Sequence, residues 1–206
     1  MPRDWVDDQL VRRGITDRRV LAAMREVPRE RFVPESAREH AYDDVALELE
    51  HGQTISQPFV VALICQSLAL NGDERVLDVG TGSGYQAAVL DELAGEVLTI
   101  ERIPELAERA RANLAAAGRE LEVIVGDGSL GAPGRAPFDA IAVAAAALEL
   151  PAALIDQLAP GGRLVLPLGD RLVRVSGGRV EQLAAVRFVP LVTGLPEPPQ
   201  GRTGAR

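Results

Sequence analysis

The sequence predicts an α/β fold built on a doubly wound, mostly parallel sheet. From residue 75 onward, short apolar runs such as RVLDVG and EVLTIE alternate with helical segments such as PELAERARANLAAAG. This alternation is typical of parallel strands whose connecting helices cover both faces of the sheet. A helical N-terminal stretch precedes the sheet. Two β-rich runs separated by Gly177-Gly178 follow it, which indicates a C-terminal antiparallel hairpin.

The N-terminal helices can be placed from their ends and their periodicity. DWVDDQLVRRG stops at Gly14, and we predict that Thr16 caps the next helix, DRRVLAAMREV. A proline-containing segment follows and predicts extended or short helical connections. The helix PFVVALICQSLAL comes next, with Ser56 expected as its cap and Pro58 in its first turn.

The rest of the chain continues the same pattern. Its last predicted helix is PAALIDQLAPGG, residues 151–162, before the strand RLVLPLG. We expect a single domain over residues 1–206, because 47% hydrophobic residues suffice for one core. Residues 1–70 form a helical extension on the substrate side, residues 71–193 form the cofactor-binding sheet, and residues 194–206 form a disordered tail.

Composition excludes several classes of function. A net charge of −8 argues against nucleic-acid and anionic membrane partners. All 22 basic residues are arginine, which rules out a phosphate-loop lysine, a pyridoxal Schiff base and a lysine general base. No zinc-ligand spacing is present, so no metal is expected.

The single cysteine, Cys65, cannot form an internal disulfide and suggests a reducing compartment. The N-terminus has no apolar signal core, and no apolar stretch reaches the ~18 residues of a membrane span. We therefore expect a cytoplasmic protein, and a monomer as its oligomeric state.

A ligand site is predicted at the carboxyl ends of the first three strands. DVGTGSG, residues 78–84, ends the first strand and opens a helix, and its three glycines let backbone N–H groups turn toward a ligand. GSGYQA also satisfies the dinucleotide fingerprint, so an NAD-dependent oxidoreductase has to be considered. Glu101 ends the second strand and suits a ribose in either NAD or S-adenosylmethionine. Asp127-Gly128 ends the third strand, where methyltransferases meet the adenine edge.

Longer blocks resemble the protein-L-isoaspartate O-methyltransferase family. They include VPRERFVPE, GQTISQP, VLDVGTGSGYQAAVL and VRFVPLV, of which GQTISQP and RFVPLV resemble this family in particular. The resemblance implies a class I methyltransferase fold and S-adenosylmethionine as cofactor. It also implies methylation of the α-carboxyl of L-isoaspartyl residues in damaged proteins and peptides. The ester then collapses to a succinimide that partly reopens as normal aspartate, which is a repair reaction.

The resemblance and the motifs together give a set of expected site residues. Ser56 matches the active-site serine of the family, and Thr54 joins it in binding substrate. The expected cofactor-binding residues are Gln57, Asp78, Gly80, Gly82, Gly84, Glu101, Asp127 and Gly128.

The reaction fits this set, because a carboxylate with a pKa of ~4 is ionised at neutral pH and requires no general base. Positioning can supply much of the catalysis. The chain departs from the family pattern at Glu48, Glu50, Ala144 and Leu148, which puts the peptide preference in doubt. A methyltransferase for another carboxylate or small molecule, and a non-catalytic cofactor-binding module, stay open as alternatives.

Overall fold

The structure is a computed structural model that describes residues 5–196. Its α-helices are α1 (Trp5–Gln9), α2 (Arg18–Glu26), α3 (Pro58–Leu68), α4 (Tyr85–Asp91), α5 (Pro104–Ala116) and α6 (Ala152–Ile155). Its strands are β1 (Leu47–Glu48), β2 (Thr54–Ile55), β3 (Arg75–Val79), β4 (Glu96–Glu101), β5 (Glu122–Val125), β6 (Phe138–Val143), β7 (Leu158–Leu168), β8 (Arg171–Ser176) and β9 (Arg179–Ala185).

Seven of these strands form one sheet in the order β5-β4-β3-β6-β7-β8-β9, and β1 and β2 form a separate antiparallel pair. Strands β3 to β7 are parallel, whereas β8 and β9 are antiparallel. Within this sheet the chain runs from β3 outward through β4 to β5. It then crosses back, so that β6 pairs with the other side of β3. Open α/β sheets bind ligands at such a reversal, at the carboxyl ends of the strands. The predicted fold class is confirmed.

The two faces of the sheet are covered unequally. Alternate residues of a strand face opposite sides, so Val76 packs into one hydrophobic cluster and Leu77 into the other. Side chains from α1 to α5 belong to the first cluster, while the second contains Leu154 of α6 together with residues from loops. The N-terminal helices therefore share a core with the sheet.

Two helix predictions need correction. Asp17, and not Thr16, caps α2, because its carboxylate Oδ1 accepts from Arg19 N at 2.8 Å. The predicted helix over residues 151–162 is limited to α6, and the chain already pairs with β6 at Leu158. Pro160 lacks an N–H and Gly161 has φ 80°, so neither residue continues a helix.

The C-terminal hairpin is confirmed. Gly177 and Gly178 both have positive φ, 55° and 72°, as the tight turn between two twisted antiparallel strands requires. Of the predicted tail, Gly194 lies against the site described below, and residues 197–206 lie outside the described part of the chain. In residues 5–196, no helix combines the length and hydrophobicity needed to cross a membrane.

Candidate active site

A cavity lies where the strand order reverses, at the carboxyl ends of the parallel strands, where open α/β sheets bind their ligands. Two groups of residues form most of it. The first, which we call the sheet wall, consists of residues 80–83, 100–102 and 128. The second, the loop wall, consists of residues 53–56 and 189–192.

Glu101 is the only carboxylate among the residues that line this cavity in the described part of the chain. Glu101 is only 5% exposed, and both of its carboxylate oxygens accept hydrogen bonds from main-chain N–H groups. Oε2 accepts from Gly82 N at 2.9 Å, and Oε1 accepts from Ile103 N at 3.0 Å. Each oxygen keeps a further lone pair. A fixed carboxylate of this kind can accept the two hydroxyls of a ribose.

The predicted glycines have different physical roles. Gly82 has φ 55°, a conformation that favours glycine, and its N–H is bonded to Glu101. Gly84 does not line the cavity, and a Cβ there would lie 3.2 Å from Leu114 Cγ, so this glycine allows close packing of α4 against α5. A Cβ at Gly128 would lie 2.6 Å from Val79 Cγ1, which leaves no room for a side chain.

Asp78 lies behind the sheet wall and is fully buried. Its carboxylate accepts from Gln86 Nε2 at 2.7 Å and from Thr99 Oγ1 at 2.8 Å. Burial raises the pKa of Asp78 to about 6, since desolvation outweighs these two hydrogen bonds. Thr99 also bonds Thr81, a lining residue, at 2.6 Å. Asp78 therefore supports the cavity from outside it.

Asp127 is also outside the residues that line the cavity. Its carboxylate accepts from Ser129 N at 2.9 Å, from Ser129 Oγ at 2.6 Å and from Gly194 N at 2.6 Å. Desolvation acts to raise the pKa of Asp127, but the hydrogen bonds from Ser129 and Gly194 outweigh it, and the net shift is downward. The carboxylate thus fastens residue 194 of the C-terminal segment to the end of β5.

Ser56 precedes α3, and the prediction that it caps this helix is wrong. Gln57 occupies the cap position without a side-chain cap bond, and Phe59 N donates to Asp44 Oδ1 at 3.0 Å. A carboxylate from an earlier loop has therefore taken the capping role. Within the described chain the Ser56 hydroxyl has no hydrogen-bond partner, so it is available to a ligand.

A second groove adjoins the cavity and shares Thr54 and Ser56 with it. Gln57 lines this groove, together with Phe59 and residues 184–188. Ser56 is therefore accessible from two sides, one leading to the sheet wall and the other to the groove. Such a junction suits a reaction between two ligands that approach from different directions.

The structure brings together most, though not all, of the predicted site residues. The cavity is lined by Thr54, Ser56, Gly80, Gly82, Glu101 and Gly128. Gln57, Asp78, Gly84 and Asp127 lie in the groove or behind the walls. The sequence did not indicate residues 189–192 as part of the site, although the block VRFVPLV singled them out as resembling the family.

Of the four departures from the family pattern, one lines the cavity and the other three do not. Glu50 forms an ion pair with Arg109 of α5 at 2.9 Å, and Glu48 is exposed on β1. Ala144 lines the cavity, whereas Leu148 is 98% exposed. In the described part of the chain, no cluster of His, Cys, Asp and Glu residues is suited to hold a metal ion.

A parallel sheet that reverses its order beside a glycine-rich loop is the arrangement of nucleotide-cofactor enzymes. Solved structures that share this fold over most of the chain are methyltransferases, which defines the class. The chain belongs to the protein-L-isoaspartate(D-aspartate) O-methyltransferase family, whose model matches residues 4–195.

Individual relatives agree with this assignment. The chain is 57% identical to protein-L-isoaspartate O-methyltransferase 1 of Rhodopseudomonas palustris over 91% of this chain and 81% of the relative. It is 52% identical to the enzyme of Methanoculleus marisnigri over 92% and 90%. Among solved structures, a protein-L-isoaspartate O-methyltransferase of Plasmodium falciparum in complex with S-adenosyl-L-homocysteine has a TM-score of 0.80. It is 28% identical, over 93% of this chain and 98% of that one.

Proposed function

We propose that the sheet wall and the loop wall divide the work of a protein-L-isoaspartate O-methyltransferase. The enzyme methylates the α-carboxyl of L-isoaspartyl residues with S-adenosylmethionine and so repairs damaged proteins and peptides. The observation that carries the proposed division is the position of Ser56, which lies between the cavity that contains Glu101 and the adjoining groove.

The residues of the sheet wall fit the cofactor. Glu101 is fixed by two main-chain N–H groups and has lone pairs left for the ribose hydroxyls. Gly80 carries no side chain that would fill the cavity, and a Cβ there would lie 3.6 Å from Ala144. When bound, S-adenosylmethionine supplies a methyl group already activated by its sulfonium sulfur.

The loop wall suits the substrate carboxylate. Ser56 offers a hydroxyl donor just before α3, whose first turn is capped by the Asp44 carboxylate and not by Ser56. Thr54 lies beside it and borders both spaces. Because the α-carboxylate is ionised at neutral pH, these groups have only to hold it in line with the methyl group.

Four of the expected cofactor residues act indirectly in this proposal. Asp78 fixes Gln86 and Thr99 behind the glycine-rich loop. Gly84 lets α4 and α5 approach, and Asp127 fastens Gly194 across the adenine end of the cavity. Gln57 contributes its main chain to the substrate side.

The test is a comparison of two peptides of identical sequence, one with L-isoaspartate and the other with normal L-aspartate. With methyl-labelled S-adenosylmethionine, we expect label in the isoaspartyl peptide and far less in its twin. Equal labelling of both peptides, or labelling of small molecules alone, would contradict the proposal.

The cellular setting is part of the proposal. A cytoplasmic location is supported by the single cysteine, Cys65, which cannot form an internal disulfide and fits a reducing compartment. We further propose that the protein acts as a monomer, which light scattering at assay concentration would check. The net charge of −8 supports the proposal that nucleic acid is not a partner, because nucleic-acid binding relies on basic residues that contact the phosphates.

A further inference from the structure

Arg29 is a buried cation behind the loop wall. It is 0% exposed, and no carboxylate within residues 5–196 forms an ion pair with it. Its Nε donates to Ala41 O at 2.8 Å and its Nη2 donates to Ser56 O at 2.8 Å, while Nη1 has no partner in the described chain. The guanidinium carbon lies 4.7 Å from the centre of the Tyr85 ring. Burying a cation without a directly paired anion is costly, and here two main-chain carbonyls, the Tyr85 ring and the charge of Asp44 offset part of that cost.

The bond to Ser56 fixes the direction of one peptide group. The peptide between Ser56 and Gln57 is trans, because the cis bond of the described chain lies elsewhere, at Ala136-Pro137. In a planar trans peptide the C=O and the N–H point in opposite directions. When Arg29 holds the Ser56 carbonyl, the Gln57 N–H therefore points away from Arg29.

The Gln57 N–H has no acceptor among the described residues. Main-chain donors without a protein acceptor bond to water or to a ligand, and this N–H is therefore available to a ligand in the site. Arg29 lies in the core and lines neither the cavity nor the groove, whereas Ser56 lines both. The side of the peptide away from Arg29 is thus the side of the site, where the Ser56 hydroxyl is also free.

We infer that Arg29 is a positioning residue that orients the Ser56–Gln57 peptide so that the Gln57 N–H and the Ser56 hydroxyl together bind the substrate α-carboxylate. The inference rests on the proposed role of the loop wall. Arg29 does not touch the substrate. It acts through its hydrogen bond to Ser56 O.

The experiment compares an L-isoaspartyl peptide with the same peptide bearing an α-carboxamide. Both are titrated calorimetrically into the protein saturated with S-adenosylhomocysteine, so that no methyl transfer occurs. For the wild type we expect the carboxylate form to bind at least about tenfold more tightly, as hydrogen bonds to a charged group imply. In Arg29→Met this ratio should fall to about twofold or less, with S-adenosylhomocysteine affinity unchanged. A loss of stability alone would weaken the binding of both peptides equally and leave the ratio intact.

Two further variants keep the result decisive. Arg119→Met removes another largely buried arginine, which pairs with Asp91 and Glu92 away from the cavity, and it should retain the wild-type ratio. Arg29→Lys keeps the charge but loses the planar fork, so its ratio should lie at least about threefold below that of the wild type. If Arg29→Met keeps the wild-type ratio of carboxylate to carboxamide affinity, the inference is overturned. If Arg29→Met does not fold, a wild-type ratio in Arg29→Lys overturns it instead. A wild-type protein that does not distinguish the two peptides contradicts the proposed role of Ser56 and the inference with it.

Discussion

The sheet wall and the loop wall of the cavity are built in different ways. The sheet wall follows directly from the ends of β3 and β4, and its central contact joins Glu101 to Gly82 across neighbouring strands. The loop wall combines segments from opposite ends of the chain. Arg29 holds Ser56 from behind, and Ala146 bonds the main chain of Val189 and Leu191. The comparison teaches that the wall proposed to bind the cofactor is built from contiguous motifs, whereas the wall proposed to bind the substrate is held by contacts between segments distant in sequence.

Asp78 gives the largest expected effect and tests how the sheet wall is supported. Its folded-state pKa of about 6 lies above its ordinary value of 3.8, so the folded protein binds the proton more tightly than the unfolded chain does. Its contribution to stability is therefore complete below about pH 4 and is lost as the pH rises through about 6. From pH 3 to pH 7 this amounts to about 3 kcal/mol.

Asp78→Asn should remove that pH dependence, because asparagine does not titrate. Urea unfolding at pH 3, 4, 5, 6 and 7 should show the wild type losing about 3 kcal/mol relative to the variant as the pH rises. Asp8→Asn, at an exposed position on α1, is the control and should follow the wild-type profile. Parallel profiles for the wild type and Asp78→Asn would show that the burial of Asp78 has no such consequence.

Glu101 tests the sheet wall itself. Glu101→Ala should weaken S-adenosylhomocysteine binding by roughly 1.5–3 kcal/mol, the range for hydrogen bonds to a charged group. Because the same carboxylate holds Gly82 N and Ile103 N, the melting temperature should fall as well. Glu122→Ala removes an exposed glutamate at the start of β5 and serves as the matched control. Unchanged affinity in Glu101→Ala would refute the ribose assignment.

Ser56 tests the loop wall. Ser56→Ala should lower kcat/KM for an isoaspartyl peptide at least about tenfold, which corresponds to ~1.4 kcal/mol of transition-state stabilisation. Since Asp44 caps α3, the melting temperature should stay close to that of the wild type. Ser56→Gly should behave in the same way, and wild-type kinetics in both variants would leave Ser56 without a role in the reaction.

Asp44 gives the smallest expected effect and separates its role as helix cap from its ion pair with Arg13. Asp44→Ala should cost about 1 kcal/mol of stability, as loss of a helix cap usually does. Asp44→Asn retains a capping oxygen and should lose less, although the charged contact with Arg13 disappears. Thermal unfolding of the two variants measures the difference. Equal loss in both would indicate that the ion pair, and not the cap, stabilises this region.

The sequence predicted the parallel sheet, the hairpin at Gly177-Gly178 and most of the sheet wall, because hydrophobic periodicity and turn glycines are local signals. It misplaced the cap of α3, since Asp44 reaches Phe59 N only through the tertiary fold. It also predicted too long a helix after residue 151, because the apolar pattern did not reveal where strand pairing begins. Arg29 stood in the block VPRERFVPE, but its burial depends on packing that no local pattern encodes.

The most direct test of the division between the two walls is the affinity of Ser56→Ala for S-adenosylhomocysteine, measured by calorimetry beside Glu101→Ala. Ser56 belongs to the loop wall, so we predict that its variant binds S-adenosylhomocysteine within about twofold of the wild type, while Glu101→Ala binds at least about tenfold more weakly. A loss of affinity in Ser56→Ala equal to that in Glu101→Ala would contradict the account, because it would place Ser56 among the cofactor contacts.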